Sequence, residues 1–165
     1  LQPWVFTDDR GYFFESYNQK AFTELTGYRA EFVQDNQSLS SYGTVRGLHF
    51  QSGPHAQAKL VRVIEGSVFD VAVDLRKESS TYGQWFGVEL SGKNNLQLFI
   101  PRGFAHGFSV LSDKALFSYK CDNFYHKASE GGIRYDDPTL GVDWQIPQDK
   151  MILSEKDLLL PFFKA

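Results

Sequence analysis

The sequence predicts an all-β domain, a barrel or sandwich of short antiparallel strands with a few short helices. Three observations point there. Aromatic residues, which favour strands, make up 16% of the 165 residues, with 15 Phe and 8 Tyr. Short segments with strand-like patterns recur at even intervals through the middle of the chain. Between them lie turn-rich tracts such as "SGKNN" (91–95) and "LSDKA" (111–115). Many short strands with such punctuation mean a closed or double-layered β architecture.

The elements follow in order. "NQKAFTELTG" (18–27) reads as a short helix, with Phe22 and Leu25 spaced i, i+3 and Gly27 as its C-terminal stop. "LVRVIEG" (60–66) and "SVFDVAVDL" (67–75) read as two strands joined by a tight turn at Glu65-Gly66, which predicts a hairpin. In the second of these, Phe69, Val71, Val73 and Leu75 share one face, with Asp70 and Asp74 on the other. "WFGVEL" (85–90), "NLQLFI" (95–100), "HGFSVL" (106–111) and "LFSYKC" (116–121) continue the series. "SEKDLLLP" (154–161) reads as a late helix with Ser154 as N-cap and Asp157 in the capping-box position.

The length suits one domain over 1–165 with a full core. Hydrophobic residues at 42% and charged residues at 22% are ordinary for a soluble fold. A net charge of −3 argues against nucleic acid and membrane surfaces as partners, although a few local arginines suffice for a small anionic ligand. Cys121 is the single cysteine, so an intrachain disulfide and a cysteine-based zinc site are excluded. No apolar run approaches a membrane span, and a cytoplasmic location is expected. The chain opens on Leu1 rather than Met, so a preceding piece is expected.

The chemistry gathers around the histidines. Gly43 precedes His49 by five intervening residues, and "PRGFAH" places Pro101, Gly103 and His106 at P-x-G-x-x-H. These resemble the two halves of the cupin signature, whose motifs bring histidines into the mouth of a small jelly-roll barrel. Metal-binding cupins continue the first motif as H-x-H, but here that position is Gln51. His55 and His126 sit in polar, loop-like contexts. A stable divalent site needs three or four good ligands, so no metal is expected. His49 is then either a hydrogen-bonded structural histidine or a general base. A buried carboxylate would orient a base, and Asp70, Asp74 and Asp157 are the candidates.

Several segments in order carry a closer resemblance: "RGYFFES" (10–16), "QDNQSLS" (34–40), "RGLHFQ" (46–51), "KLVRVIEGSVFDVAVDLR" (59–76), "YGQWFGVEL" (82–90), "IPRGFAHGF" (100–108), "YKCDNFY" (119–125) and "ILSEKD" (152–157). Together they resemble the dTDP-4-dehydrorhamnose 3,5-epimerases. The resemblance implies a double-stranded β-helix, a jelly-roll, cupin-like barrel with a few short helices. It implies epimerisation of a dTDP-linked 4-keto-6-deoxyhexose, with no cofactor. A proton beside a ketone is acidic because its loss gives an enolate. The reaction needs a base, a donor for the enolate oxygen and an acid on the opposite face. By resemblance His49 is the base, Asp157 orients it, Lys59 supports the enolate oxygen and Tyr119 is the acid. His106 joins them in binding the sugar.

The resemblance assigns Arg46 and Arg10 to the diphosphate, Gln34 and Asn36 to sugar or phosphate, and Phe13 and Glu15 to the nucleotide base. Phe124 stands where the family often has a Tyr beside the thymine. Arg10, Phe13 and Glu15 belong to a segment that reaches into the partner's site in the family, which implies a homodimer with shared sites. Each role has a plainer rival: a capping carboxylate for Asp157, a solvated strand-start lysine for Lys59, a core aromatic for Tyr119. Three other activities stay open, namely epimerisation at one carbon only, nucleotide-sugar binding without catalysis, and a metal-dependent cupin reaction.

Overall fold

The computed structural model describes residues 1–164. A short ribbon of β1 (Phe6–Asp8) and β2 (Gly11–Phe13) opens the chain and leads into α1 (Gln19–Thr26). Asn18 caps α1 by accepting from the Ala21 N–H, and Gly27 ends it at φ 69°, a left-handed geometry that costs glycine no Cβ clash. Phe22 docks the helix on Leu60 and Ala30, ringed by Tyr17, Tyr28, Phe32 and Phe99. Leu25, expected on the same face, is exposed. Its three-residue offset turns it about 60° off the contact line, and in so short a helix one aromatic makes the contact.

The barrel strands are β3 (Gln34–Ser41), β4 (Val45–Gln51), β5 (Lys59–Glu65), β6 (Ser67–Asp74), β7 (Trp85–Ser91), β8 (Gln97–Ile100), β9 (Phe104–Val110), β10 (Lys114–Cys121) and β11 (Glu130–Gly132), followed by α2 (Glu155–Leu158). They form two antiparallel sheets, ordered β3-β10-β5-β8 and β11-β4-β9-β6-β7. This is the cupin-like jelly roll expected from the sequence.

The expected hairpin of residues 60–75 does not form. β5 pairs with β10 and β8, whereas β6 pairs with β7 and β9. Gly66, at φ 82°, turns a corner from one sheet to the other, so tightly that a Cβ there would overlap Lys114 O. A turn signal cannot distinguish a hairpin from such a corner, because both need the same left-handed residue.

Two cores flank the five-stranded sheet. Val61, Val63, Val68, Leu90, Ile100, Phe108, Val110 and Phe117 plug one end of the barrel interior. Val45, Leu48, Val71, Val73 and Ala105 face outward and are covered by Ile133, Leu140 and Trp144 of the C-terminal segment. β6 is therefore buried on both faces. Its aspartates, Asp70 and Asp74, are 0% and 1% exposed, and buried carboxylates need partners.

Asp74 accepts from the Arg76 guanidinium at 2.7 and 2.9 Å and from Thr81 Oγ1 at 2.7 Å. Arg76, against the opposing effect of burial, holds the carboxyl well below its ordinary value. The native state thus binds fewer protons here than the unfolded chain. The resulting stability is full above the unfolded value and is lost as pH falls toward the folded one. Asp74→Asn is expected to flatten the stability–pH slope between about pH 4 and pH 2, measured by urea unfolding at a series of pH values. Among the described residues no helix is long and apolar enough to cross a membrane.

Candidate active site

The unplugged end of the barrel is polar. Two adjoining cavities of about 320 and 330 Å³ share Asn36, His49, Lys59 and Tyr119. Asn36 comes from β3, Lys59 from β5 and Tyr119 from β10, all in one sheet, while His49 comes from β4 in the facing sheet. Arg46, His106, Phe108 and Phe117 line the deeper side, whereas Gln34, Gln51, Gln57, Tyr125 and Glu130 line the mouth.

Strict alternation along β4 would send Arg46 and His49 to opposite faces. A register shift between them puts both in the cavity. Gly47 permits it: at φ 120° its α-carbon lies so close to β9 that an added Cβ would sit 2.6 Å from Gly107 Cα and 2.8 Å from His106 O.

The three carboxylates named as partners for His49 sort onto three different groups. His49 Nε2 lies 2.6 Å from Asp157 Oδ1. His106 Nε2 lies 3.1 and 3.0 Å from the two oxygens of Asp70. Asp74 holds Arg76. Asp157 arrives from 108 residues away because the C-terminal segment runs beside β4, with Val45 N–H donating to Ile152 O at 2.9 Å and Ile152 N–H to Gly43 O at 2.8 Å. Ser154 caps α2 by accepting from the Asp157 N–H at 3.1 Å. Of the capping box, the Ser154 half is present, while the Asp157 carboxylate is taken by His49.

Burial alone would raise the Asp157 carboxyl, but the bond and charge of His49, with Ser154 and the Gly47 backbone, bring it below its ordinary value. A carboxylate only accepts, so the Nε2 proton of His49 lies toward it and Nδ1 of the neutral ring keeps its lone pair. Burial lowers the Lys59 ammonium, resisted by Cys121, Asp70 and Glu130, which makes it a stronger donor to a developing oxyanion. Burial raises the Tyr119 phenol, joined by Cys121 and opposed by Asn36 and Arg46. Lys59 Nζ stands 5.7 Å from the Tyr119 ring centre. Burial also lowers His106, against Asp70, and leaves it neutral at pH 7. Cys121 is pushed up to about 11 by burial, so it is a protonated thiol and not a nucleophile.

Gln34, Asn36, Arg46, His49, Lys59, His106 and Tyr119 therefore come together, with Asp157 behind His49. Arg10, Phe13, Glu15 and Phe124 do not line these cavities in the single chain. Arg10 pairs with Asp8 on the exposed ribbon, and Glu15 accepts from Asn18 at 2.7 Å. Phe13 and Phe124 are exposed. The aromatic at the mouth is Tyr125, whose hydroxyl donates to Glu130 Oε2 at 3.0 Å. Sequence reasoning missed Tyr125, Glu130 and Gln57; the one available signal, for the first two, was a polar, aromatic loop, "NFYHKASE" (123–130). His55 and His126 stack on each other at 4.0 Å and line neither cavity. Among the described residues no group of three or more His, Cys, Asp or Glu side chains is placed to hold a metal ion.

Comparison with known proteins shows the family. The family described as dTDP-4-dehydrorhamnose 3,5-epimerase matches residues 1–165. The enzyme of that name from Salmonella typhimurium is 56% identical over 164 residues, covering 98% of this chain and 87% of that one. The crystal structure of the Elizabethkingia anophelis enzyme superposes with a TM-score of 0.95 at 62% identity, over 98% of this chain and 88% of that one. A Legionella pneumophila 3,5-epimerase in complex with dTDP-4-keto-L-rhamnose superposes with a TM-score of 0.91 at 49% identity, over 99% of this chain and 92% of that one.

Proposed function

The chain belongs to the dTDP-4-dehydrorhamnose 3,5-epimerase family, and from that premise we propose that it converts dTDP-4-dehydro-6-deoxy-D-glucose to dTDP-4-dehydro-L-rhamnose by inverting C3 and C5. The observation that supports this best is the 2.6 Å contact of His49 with Asp157, facing Lys59 and Tyr119 across one cavity. A sugar held between the two sheets meets a base on one side and an acid on the other. His49 Nδ1 takes the proton beside the ketone, and the electron pair moves onto the ketone oxygen as an enolate. Lys59 donates to that oxygen. Tyr119 returns a proton to the opposite face. None of these steps draws on a metal or a nicotinamide.

The nucleotide's diphosphate is assigned to Arg46, whose Nε donates to Ser40 Oγ at 3.1 Å, leaving its terminal nitrogens to phosphate. Arg46→Lys is expected to weaken dTDP binding about tenfold, read by calorimetry, because a point charge does not replace a planar fork. Arg10, Phe13, Glu15 and Phe124 are assigned to the nucleotide in a homodimer with shared sites. Trp4, Phe6, Tyr12 and Phe13 leave the ribbon's aromatic surface exposed in the single chain, which is what a covering partner would bury. A monomeric mass by light scattering would count against the shared site.

The test is deuterium incorporation. The protein is incubated with dTDP-4-keto-6-deoxyglucose in D₂O, and the label is located by NMR. Label at C3 and C5 with inversion at both is expected. Label at one carbon would replace the reading with a single-position epimerase. No label with dTDP still bound would make the protein a nucleotide-sugar binder without catalysis.

A further inference from the structure

We infer that Asn36 is a positioning residue for Tyr119, the last link of a two-amide relay that ties the phenol to the loop at the cavity mouth. The inference rests on the reading of Tyr119 as the acid and adds to it.

Asn36 and Tyr119 are directly opposed across β3 and β10, and both line both cavities. A side-chain amide has two ends, and its neighbours decide which way it faces. Here Gln34 Nε2 donates to Asn36 Oδ1 at 3.1 Å, which commits the Asn36 carbonyl to Gln34. Its NH₂ group is left facing β10, where Nδ2 donates to Cys121 Sγ at 3.7 Å. The second hydrogen of that group is then free for the neighbouring Tyr119 oxygen. Gln34 is fixed in turn, because its Oε1 accepts from the Tyr125 N–H at 3.0 Å. Reversing either amide would set like groups against each other. Order therefore runs from the Tyr125 backbone through Gln34 to Asn36, whose NH₂ group stands opposite Tyr119 on the neighbouring strand.

The chemistry needs such a donor. Burial disfavours a phenolate, and a hydrogen bond aimed at the phenol oxygen offsets that cost as the proton leaves. Once His49 has taken the C–H proton, the enolate has two fates. Protonation from the Tyr119 O–H forms the new C–H bond on the opposite face and leaves a phenolate that water reprotonates. Protonation from His49, after its proton has exchanged with solvent, restores the original face. In D₂O the second route gives exchange without inversion. The ratio of exchange to inversion reads the acid separately from the base and from binding.

The experiment measures that ratio by NMR for Asn36→Leu, Gln34→Leu, Tyr119→Phe and the Asn36→Leu/Tyr119→Phe double variant. Asn36→Leu is expected to raise it about tenfold, the scale of one hydrogen bond to a charged group. Gln34→Leu raises it by less and Tyr119→Phe by most. Adding Asn36→Leu to Tyr119→Phe brings no further rise, since the two act through one group. If Asn36→Leu slows exchange and inversion equally, or changes KM alone, while Tyr119→Phe raises the ratio, Asn36 only contacts substrate and the inference is overturned with the acid intact. If Tyr119→Phe leaves the ratio unchanged, the acid assignment and the inference fall together. Should Asn36→Leu not fold, Asn36→Ala carries the same expectation.

Discussion

His49→Ala is expected to lower turnover by about 10² to 10⁴-fold, the usual contribution of a general base, with the barrel still folded by circular dichroism. The fold survives because the His49 side chain is 32% exposed at the cavity wall and takes no part in the apolar plug. Asp157 should register the loss. Its carboxyl is held down by His49 against burial, so removing the imidazole lets burial dominate and raises it. Asp157→Asn keeps the shape but no longer requires the proton on Nε2, so the free lone pair at Nδ1 is no longer enforced. It should lower kcat while leaving dTDP affinity near that of the parent. Most of the turnover surviving in His49→Ala would remove His49 as the base.

Gly47→Ala is expected to cost about 3 kcal/mol of stability, combining a disfavoured φ with overpacking. The backbone there lies at φ 120°, and the added carbon would meet Gly107 Cα at 2.6 Å and His106 O at 2.8 Å. Both obstacles are backbone, so no side-chain rotation relieves them. β4 and β9 would have to part between Arg46 and His49, where the register already shifts. Turnover and dTDP affinity should fall together, since that stretch sets both side chains in the cavity. The measurement is a urea midpoint at constant slope. An unmoved midpoint would mean that the two strands separate without cost.

Much of the site is legible in the chain because strand alternation is a local rule. Tyr119 and Cys121, two residues apart, share a face of β10, and Gln34 and Asn36 share one of β3. Local rules fail at two places, each for a physical reason. Alternation sets Arg46 and His49 on opposite faces, and the register shift at Gly47 undoes that. The turn signal at Gly66 reads residues 60–75 as one hairpin, whereas Gly66 turns the chain between sheets. The ring of Tyr125, Glu130 and Gln57 at the mouth was not legible either. Gln57 and Tyr125 lie in irregular chain, where no period relates sequence to direction, and Glu130 opens the three-residue β11, too short to show one.

The sequence by itself determined the all-β class, the Gly27 stop of α1, the Ser154 cap of α2 and the family. These follow from local rules: period, capping chemistry, and order and spacing of motifs. Local pattern left Asp70, Asp74 and Asp157 equivalent, with only the family resemblance setting Asp157 against His49, and the tertiary structure sorts all three: they pair with His106, Arg76 and His49. That sorting depends on strand register and on a C-terminal segment laid against β4. Both are set by burying the two cores, a sum over contacts between residues distant in the chain, and no local stretch of sequence contains it.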